Sequence, residues 1–321
     1  VVREFILRRS LFTLPVVFMV SFVVFISLHI APGDPIDLFL SPDTTWTSAE
    51  ARQAFRDELS ARLGLDQPLH VQFIRYMTNV MRFDFGNSVY SGRPIIEELI
   101  PRYQATIELT IFAMGISITL GILIGVLSAV YVNTWFDSLI TFIGLAGVSI
   151  PSFWLGLMLM LLFALQLGWL PPSGRPASAF TPEGFRFVIL PALTLGISSV
   201  GFMARITRSQ MLEILAEDYI RTARAKGMRE RWVVLKHGLR SAMLPVVTVF
   251  GLQFGALLAG AVVAETVFSY PGVGRYLLQA VSNRDFPAVQ TGTLFVAVTF
   301  VLVNLFIDVI YALLDPRIRY S

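Results

Sequence analysis

Apolar residues gather along this chain into six long stretches with polar segments between them: Leu11 to Ile30, Ile107 to Val132, Leu139 to Leu170, Phe187 to Met203, Met243 to Ala264 and Thr291 to Leu314. About 20 apolar residues in a helix cross the hydrocarbon of a bilayer. The pattern therefore predicts an all-α, polytopic membrane protein with six transmembrane helices. The third stretch holds 32 residues, fewer than two spans of about 17 residues would need. Pro151 is thus expected to kink one long helix rather than divide two. The first stretch follows Arg8 and Arg9 as a signal peptide would, but it is too long for the apolar part of one. It also reaches His29-Ile30-Ala31-Pro32 without a small-residue cleavage pattern, so the expectation is a retained anchor.

Basic residues in short loops set orientation. With the N-terminus in the cytoplasm, the inner segments carry Arg3, Arg8 and Arg9, then nine Lys or Arg from Arg205 to Arg240, then Arg317 and Arg319. Only Arg175, Arg186, Arg275 and Arg284 fall in short outer loops. Both termini are expected on the cytoplasmic side. The chain then divides into residues 1–31, a tail and first transmembrane helix; residues 32–104, an external segment; and residues 105–321, a five-helix core with a cytoplasmic loop over 205–241.

The external segment has ten acidic against seven basic residues. Thr47-Ser48-Ala49-Glu50 reads as a capping box and Gly64 as a stop, predicting a helix from Ser48 to Leu63. A second helix is expected from Pro68, with Phe73, Met77, Val80 and Met81 on one face. This is the pattern of a small packed cap, either a lid or a docking surface. In the inner loop Leu212, Leu215, Ala216, Tyr219, Ile220 and Ala223 recur at helical spacing, interleaved with Arg221, Arg224 and Lys226, and Gly227 stands where a helix C-terminus favours a left-handed residue. A second helical run, Glu230 to Leu239, leads towards Pro245. The residues alone leave two readings of this amphipathic pair: a basic helix on anionic inner-leaflet lipid, or a protein-docking helix.

Composition narrows the function. The chain is 55% hydrophobic and 15% charged, with mean hydropathy +0.68. A net charge of +3, interrupted by apolar runs, gives no nucleic-acid footprint. There is no Cys, and only His29, His70 and His237, which leaves little for metal catalysis. Neither Lys226, after Ala225, nor Lys236, after Leu235, ends a Gly-Lys-Ser/Thr phosphate loop, so this chain cannot bind ATP that way. An intramembrane enzyme would need a nucleophile or paired acids at depth. Gly147-Val148-Ser149 lacks the following Gly of a serine elbow, and Glu108, Glu265 and Asp308 make a poor dyad, better suited to interhelical hydrogen bonds. A secondary transporter or channel would be expected to show an internal repeat or ion-coupling charges, and none is apparent. The polar interior, Ser198, Ser199, Thr248, Gln253, Thr299 and Asn304, suits transient passage of a polar solute or ordinary helix packing. Ser198, Thr248, Gln253, Glu265 and Asn304 are the candidate translocation-path residues.

Asp218-Tyr219-Ile220-Arg221-Thr222-Ala223-Arg224-Ala225-Lys226-Gly227, then His237-Gly238-Leu239-Arg240 and Leu244-Pro245, resembles the cytoplasmic loop of the peptide-type ABC importer permeases, the dipeptide/oligopeptide and nickel group. Further signatures run along the whole chain: Pro32-Gly33-Asp34-Pro35, Leu63-Gly64-Leu65-Asp66-Gln67-Pro68, Asp84-Phe85-Gly86-Asn87-Ser88, Ile150-Pro151-Ser152-Phe153-Trp154-Leu155-Gly156 and Leu170-Pro171-Pro172-Ser173-Gly174. Glu265, Phe268, Pro271-Gly272-Val273-Gly274, Arg284-Asp285-Phe286-Pro287, Gln290 and Leu314-Asp315-Pro316-Arg317-Ile318-Arg319-Tyr320 complete them. The long segment after the first span is similar to that of the B-type member of the permease pair. Where the general importer loop begins Glu-Ala-Ala, Arg221, Thr222 and Ala223 stand here, a variant the peptide-type group shares. The resemblance implies a permease subunit, not an enzyme, in a prokaryotic inner membrane, working by alternating access. It implies a homologous second permease, two ATPase subunits or domains carrying ATP and Mg, and an extracytoplasmic solute-binding protein, with no cofactor on this chain. Coupling to the ATPases would fall on Asp218, Tyr219, Arg221, Thr222, Ala223, Arg224, Ala225, Lys226 and Gly227. A dipeptide or oligopeptide is the expected solute, with nickel or another small solute as the alternative.

Overall fold

The structure is a computed structural model that describes residues 2–30, 49–63, 66–135, 137–140, 142, 144 and 150–314. The regular elements among these residues are helices: α1 (Val2–Ile30), α2 (Ala49–Leu63), α3 (Leu69–Met81), α4 (Ile95–Val130), α5 (Ser152–Leu159), α6 (Pro182–Leu215), α7 (Asp218–Ala225), α8 (Arg240–Val267), α9 (Val273–Ser282) and α10 (Phe286–Leu314). Two π-helical runs extend them, Met160–Gln166 after α5 and Val233–Leu239, which joins Glu230–Trp232 to α8. The all-α expectation holds for the described residues. Four helices are long and apolar enough to cross a membrane, over Ile95–Val130, Pro182–Leu215, Pro245–Val267 and Phe286–Ile307, and two shorter apolar helices cover Pro15–Ser27 and Ser152–Gln166. Each of the six apolar stretches thus contains helix. Pro32–Pro35, Thr47, Ser48, Gly64, Gly147–Ser149 and Asp315–Tyr320 lie outside the described residues.

Several helices overrun their apolar stretches, because backbone hydrogen bonding continues where the hydrocarbon ends. The clearest case is α6, whose start is fixed locally: the Thr181 hydroxyl accepts from the Gly184 N–H at 3.1 Å, and Pro182 and Glu183 occupy the first turn. Pro151 corrects the expectation of a kink within one helix. It has φ −59° and ψ 130° and stands ahead of Ser152, so a new helix begins there. The expected continuous run from Leu212 to Ala223 is also broken: α6 ends at Leu215, Glu217 is extended at ψ 149°, and α7 starts at Asp218, whose carboxylate suits the positive end of a helix.

By contact the chain forms two compact units, Val1–Ser10 with Arg102–Arg275 and Leu302–Ser321, and Leu11–Pro101 with Tyr276–Val301. In the first, α8 packs on α6 and α5 packs on both. The core there is built largely from small residues, Ala105 and Ala113 of α4, Ala192 of α6 and Ala261 and Ala264 of α8, closed by the fully buried Tyr270. Small side chains let helices approach closely, which is how membrane bundles gain contact without a hydrophobic force between helices.

In the second unit the ring of Phe73 on α3 meets Phe18, Phe22 and Phe25 of α1 edge-on at 5.5, 5.3 and 5.3 Å, and Tyr76 stacks on Phe25. Helix α3 is therefore packed, as its apolar face predicts, although Met81 is 68% exposed and contributes nothing to that face. The segment after α3 is fastened by Asp285, which is 3% exposed. Its carboxylate accepts from the Ser88 hydroxyl, the Val89 and Tyr90 N–H groups at 3.2 and 3.3 Å, and the Ala288 N–H at 3.3 Å in the first turn of α10. Asp285→Ala strands these donors and removes a helix cap, and is expected to cost about 3 kcal/mol. Thermal unfolding in detergent checks this, together with faster tryptic cleavage at Arg82, which Phe83 follows; an unchanged midpoint with an unchanged cleavage rate counts against it.

Candidate functional site

Helix α7 is two turns long and half committed to the protein. Ile220 is fully buried, and the half-buried Ala223 follows one turn later on the same side. Ile220 is thereby the anchor, while Asp218, Tyr219, Arg221, Thr222, Arg224, Ala225, Lys226 and Gly227 are exposed. Tyr219 donates its hydroxyl proton to Ser241 Oγ at 3.1 Å, which ties α7 to the first turn of α8. Arg224 reaches Glu230 through Nε and Nη2, at 2.7 Å for the shortest contact, and this pairing holds the Glu230 carboxyl below its ordinary range. Asp218 and Arg221 form a looser exposed pair at 3.4 Å.

The end of α7 is closed by Gly227 at φ +76°. The Met228 N–H bonds the Ala223 carbonyl at 3.3 Å and the Gly227 N–H bonds that of Arg224 at 2.9 Å. These two bonds are the Schellman arrangement, which needs a left-handed residue at this position. Beneath the loop, Met211, Val234 and Ala242 are buried with Val126 and Ala129 of α4, and Gly238 lies close to Met211 and Leu215. The result is a short, capped, polar knob on a rigid apolar seat. Glu230 to Leu239 is helical as expected, but most of it is π-helix running directly into α8.

The candidate path residues do not form one cluster. Ser198 on α6 is half-buried and donates to the Leu195 carbonyl at 2.7 Å. On α8 Thr248 is exposed and Gln253 is 8% exposed. Asn304 on α10 comes close to Gly251 of α8, its Oδ1 3.0 Å from where a Cβ would stand. Glu265 is fully buried near the end of α8 and accepts from the Thr106 hydroxyl of α4 at 2.5 Å and from the Arg275 N–H of α9 at 2.9 Å. The Val273 N–H in turn bonds Thr106 Oγ1 at 2.8 Å. This carboxylate therefore joins α4, α8 and the start of α9.

Glu108, 2% exposed, accepts from Arg175 Nη2 at 2.9 Å, the Ser178 hydroxyl at 2.7 Å and the Ala179 N–H at 2.9 Å. The side chain of Asp308 is outside the described residues. No group of three or more His, Cys, Asp or Glu positioned to hold a metal occurs among the described residues. Sequence reasoning marked Glu108 and Glu265 as unusual acids in apolar surroundings, but it could not supply their partners. It missed Asp137, which stands at the start of a helical stretch just past the polar turn after α4 and looks ordinary in sequence.

These features define a class: a multi-helix membrane subunit without a nucleotide loop of its own, carrying one rigid, exposed knob. Residues 121–320 match the family described as binding-protein-dependent transport system inner membrane component, and residues 2–110 match its N-terminal membrane component. The chain belongs to this family, as an ABC importer permease of the dipeptide/oligopeptide/nickel group. It is 46% identical over 318 residues to the glutathione transport system permease protein GsiC of Salmonella typhimurium and 44% identical to that of Escherichia coli K12, covering 99% of each chain in both cases. Two inward-facing structures of the MetNI methionine ABC transporter align with TM-scores of 0.57 and 0.59, at 19% and 18% identity, over 69% of this chain and 98% of theirs. That likeness concerns the fold. The protein is thus a transport subunit of a bacterial inner membrane, with ATP hydrolysis in partner subunits and a solute-binding protein as a further partner.

Proposed function

We propose that this chain forms, with a homologous second permease, the translocation path for short peptides of the glutathione kind, moved by alternating access. Full-length similarity to permeases named for glutathione transport carries the choice of solute. Two ATPase subunits or domains, holding ATP and Mg, dock on α7, and the chain itself holds no cofactor. The observation that supports docking is the contrast within eight residues between one buried anchor, Ile220, and an exposed polar surface fixed at both ends by Tyr219 to Ser241 and by the turn at Gly227. The path draws on Ser198, Thr248, Gln253, Glu265 and Asn304. In this reading the chain crosses six times with both termini and residues 205–241 in the cytoplasm, the side that the basic residues of the short loops favour, and residues 32–104 lie outside, where the binding protein delivers its solute.

The solute is tested by uptake into proteoliposomes containing the whole importer and its binding protein. Labelled glutathione or a dipeptide is expected to accumulate with ATP, and nickel is not; nickel accumulation without peptide accumulation overturns the assignment. Orientation is tested by single cysteines, which are unambiguous in a chain without native Cys. A cysteine at Asp57 is expected to react with an impermeant reagent on intact cells and one at Arg229 is not. The reverse pattern would invert the topology.

A further inference from the structure

Helices α4 and α6 touch through their backbones. A Cβ at Gly121 would stand 2.5 Å from that of Met203, and one at Gly125 would stand 2.6 Å from the Ala204 carbonyl oxygen. One turn further along both helices the contact changes from apolar to ionic. Arg208 of α6 donates from Nε to Ser128 Oγ of α4 at 3.1 Å and to Asp137 Oδ1 at 2.8 Å, and from Nη2 to Asp137 Oδ2 at 2.7 Å. The Ser128 hydroxyl and the Asn133 N–H also donate to this carboxylate. Ser128 is 1% and Asp137 6% exposed. The Arg208 hydrogen bonds, ahead of those from Ser128 and Asn133, hold the Asp137 carboxyl well below its ordinary range, so the pair stays ionised at neutral pH.

The position of this clasp matters more than its strength. From Arg208, α6 runs unbroken to Leu215, and only Ala216 and Glu217 separate it from α7. A push on α7 therefore reaches Arg208 across this two-residue link and then along α6. Packing between apolar faces of membrane helices rests on non-directional van der Waals contact. A bidentate guanidinium–carboxylate pair has a fixed direction and resists sliding.

We propose that Arg208, Asp137 and Ser128 are positioning residues that fasten α4 and the helical start at Asp137 to α6, so that movement received at α7 shifts them as one block without opening the joint. The inference rests on α7 being the docking helix for the ATPases.

The test uses the complete importer in proteoliposomes with its binding protein. Since the chain has no Cys, the double variant Ser128→Cys with Arg208→Cys can be bridged by a short bifunctional methanethiosulfonate, with the wild-type complex treated alike as reference. Before bridging, ATP-driven uptake is expected to fall about tenfold, the size of an ordinary coupling energy, while the ATPase subunits still co-purify. Bridging is expected to return it to within about threefold of the reference. Uptake that stays low or falls further on bridging overturns the proposal, because the helices must then slide during the cycle. Full uptake before bridging overturns it as well.

Should the unbridged variant fail to assemble, Arg208→Lys keeps the charge and loses the bidentate geometry. Its ratio of ATPase activity with and without loaded binding protein is expected to fall, and an unchanged ratio overturns the proposal. Failure of the docking reading shows elsewhere, as ATPase subunits that remain bound when the exposed surface of α7 is altered.

Discussion

Gly272→Ala is expected to lower the stability of the permease by about 3 kcal/mol, near the upper end of what overpacking usually costs. A Cβ at Gly272 would stand 2.0 Å from both Cδ and Oε1 of Glu265. A flexible carboxylate could normally swing aside, but this one is fully buried and held by the Thr106 hydroxyl on one oxygen and the Arg275 N–H on the other. Either those bonds break, leaving a buried carboxylate poorly matched, or the turn between α8 and α9 shifts. Both outcomes loosen the junction where α4, α8 and α9 meet. The check is the thermal midpoint of the detergent-purified protein. Gly115→Ala, in α4, serves as the control because nothing lies within 4 Å of its added methyl; in a helix it is expected to be neutral or to stabilise by up to about 1 kcal/mol. Equal midpoints for the two variants would remove the junction from consideration.

The second large effect is expected at the knob. Ala225→Trp places a large side chain on the exposed surface of α7, away from the Ile220 anchor, and Gly227→Val forces a β-branched residue to φ +76°. No neighbouring atom lies within 4 Å of a Cβ at Gly227, so the second change acts only through the backbone, at about 1 to 2 kcal/mol. Neither change reaches the helical core, and both proteins should insert and fold. Coupled uptake is nevertheless expected to fall at least about tenfold, as the loss of a coupling contact implies, and the ATPase subunits should co-purify poorly with Ala225→Trp. A lipid-resting helix predicts the opposite for tryptophan, which anchors well at a membrane surface. Normal association with normal uptake in both variants would return α7 to the lipid.

Proline shows how far the sequence could be read. Pro15, Pro101, Pro191 and Pro245 all lie within helices, while Pro151 precedes one. Apolar residues flank Pro191 and Pro151 on both sides alike, so pattern alone cannot separate a tolerated proline from a boundary. The long apolar stretches were legible because burial in hydrocarbon demands them, and Gly227 was legible because a basic last turn followed by glycine is a local rule.

The polar joints are different in kind. Glu108 meets Arg175, Ser178 and Ala179, and Asp137 meets Arg208, partners about 70 positions away that only the packed helices bring together. The break at Ala216 and Glu217 was hidden for the opposite reason. The apolar spacing continues across it, but Leu212 and Leu215 face the seat of the loop from α6 while Ile220 is buried from α7, so one periodicity is shared by two helices.

The π-helical turns of Val233–Leu239 act as a dial on everything that follows. Such turns hold one residue more than an α-helical turn, and each residue rotates the downstream helix by about 100°. As set, α8 emerges with Thr248 and Leu252 on its exposed side and Val247, Gly251 and Phe254 turned inward. Losing a single residue from this run would wind it back to α-helix and swing a different stripe of α8 outward, with no substitution anywhere along the helix itself. Among related permeases, an insertion or deletion in these seven positions is therefore a shorter route to a new exposed face of α8 than mutation of the residues on that face.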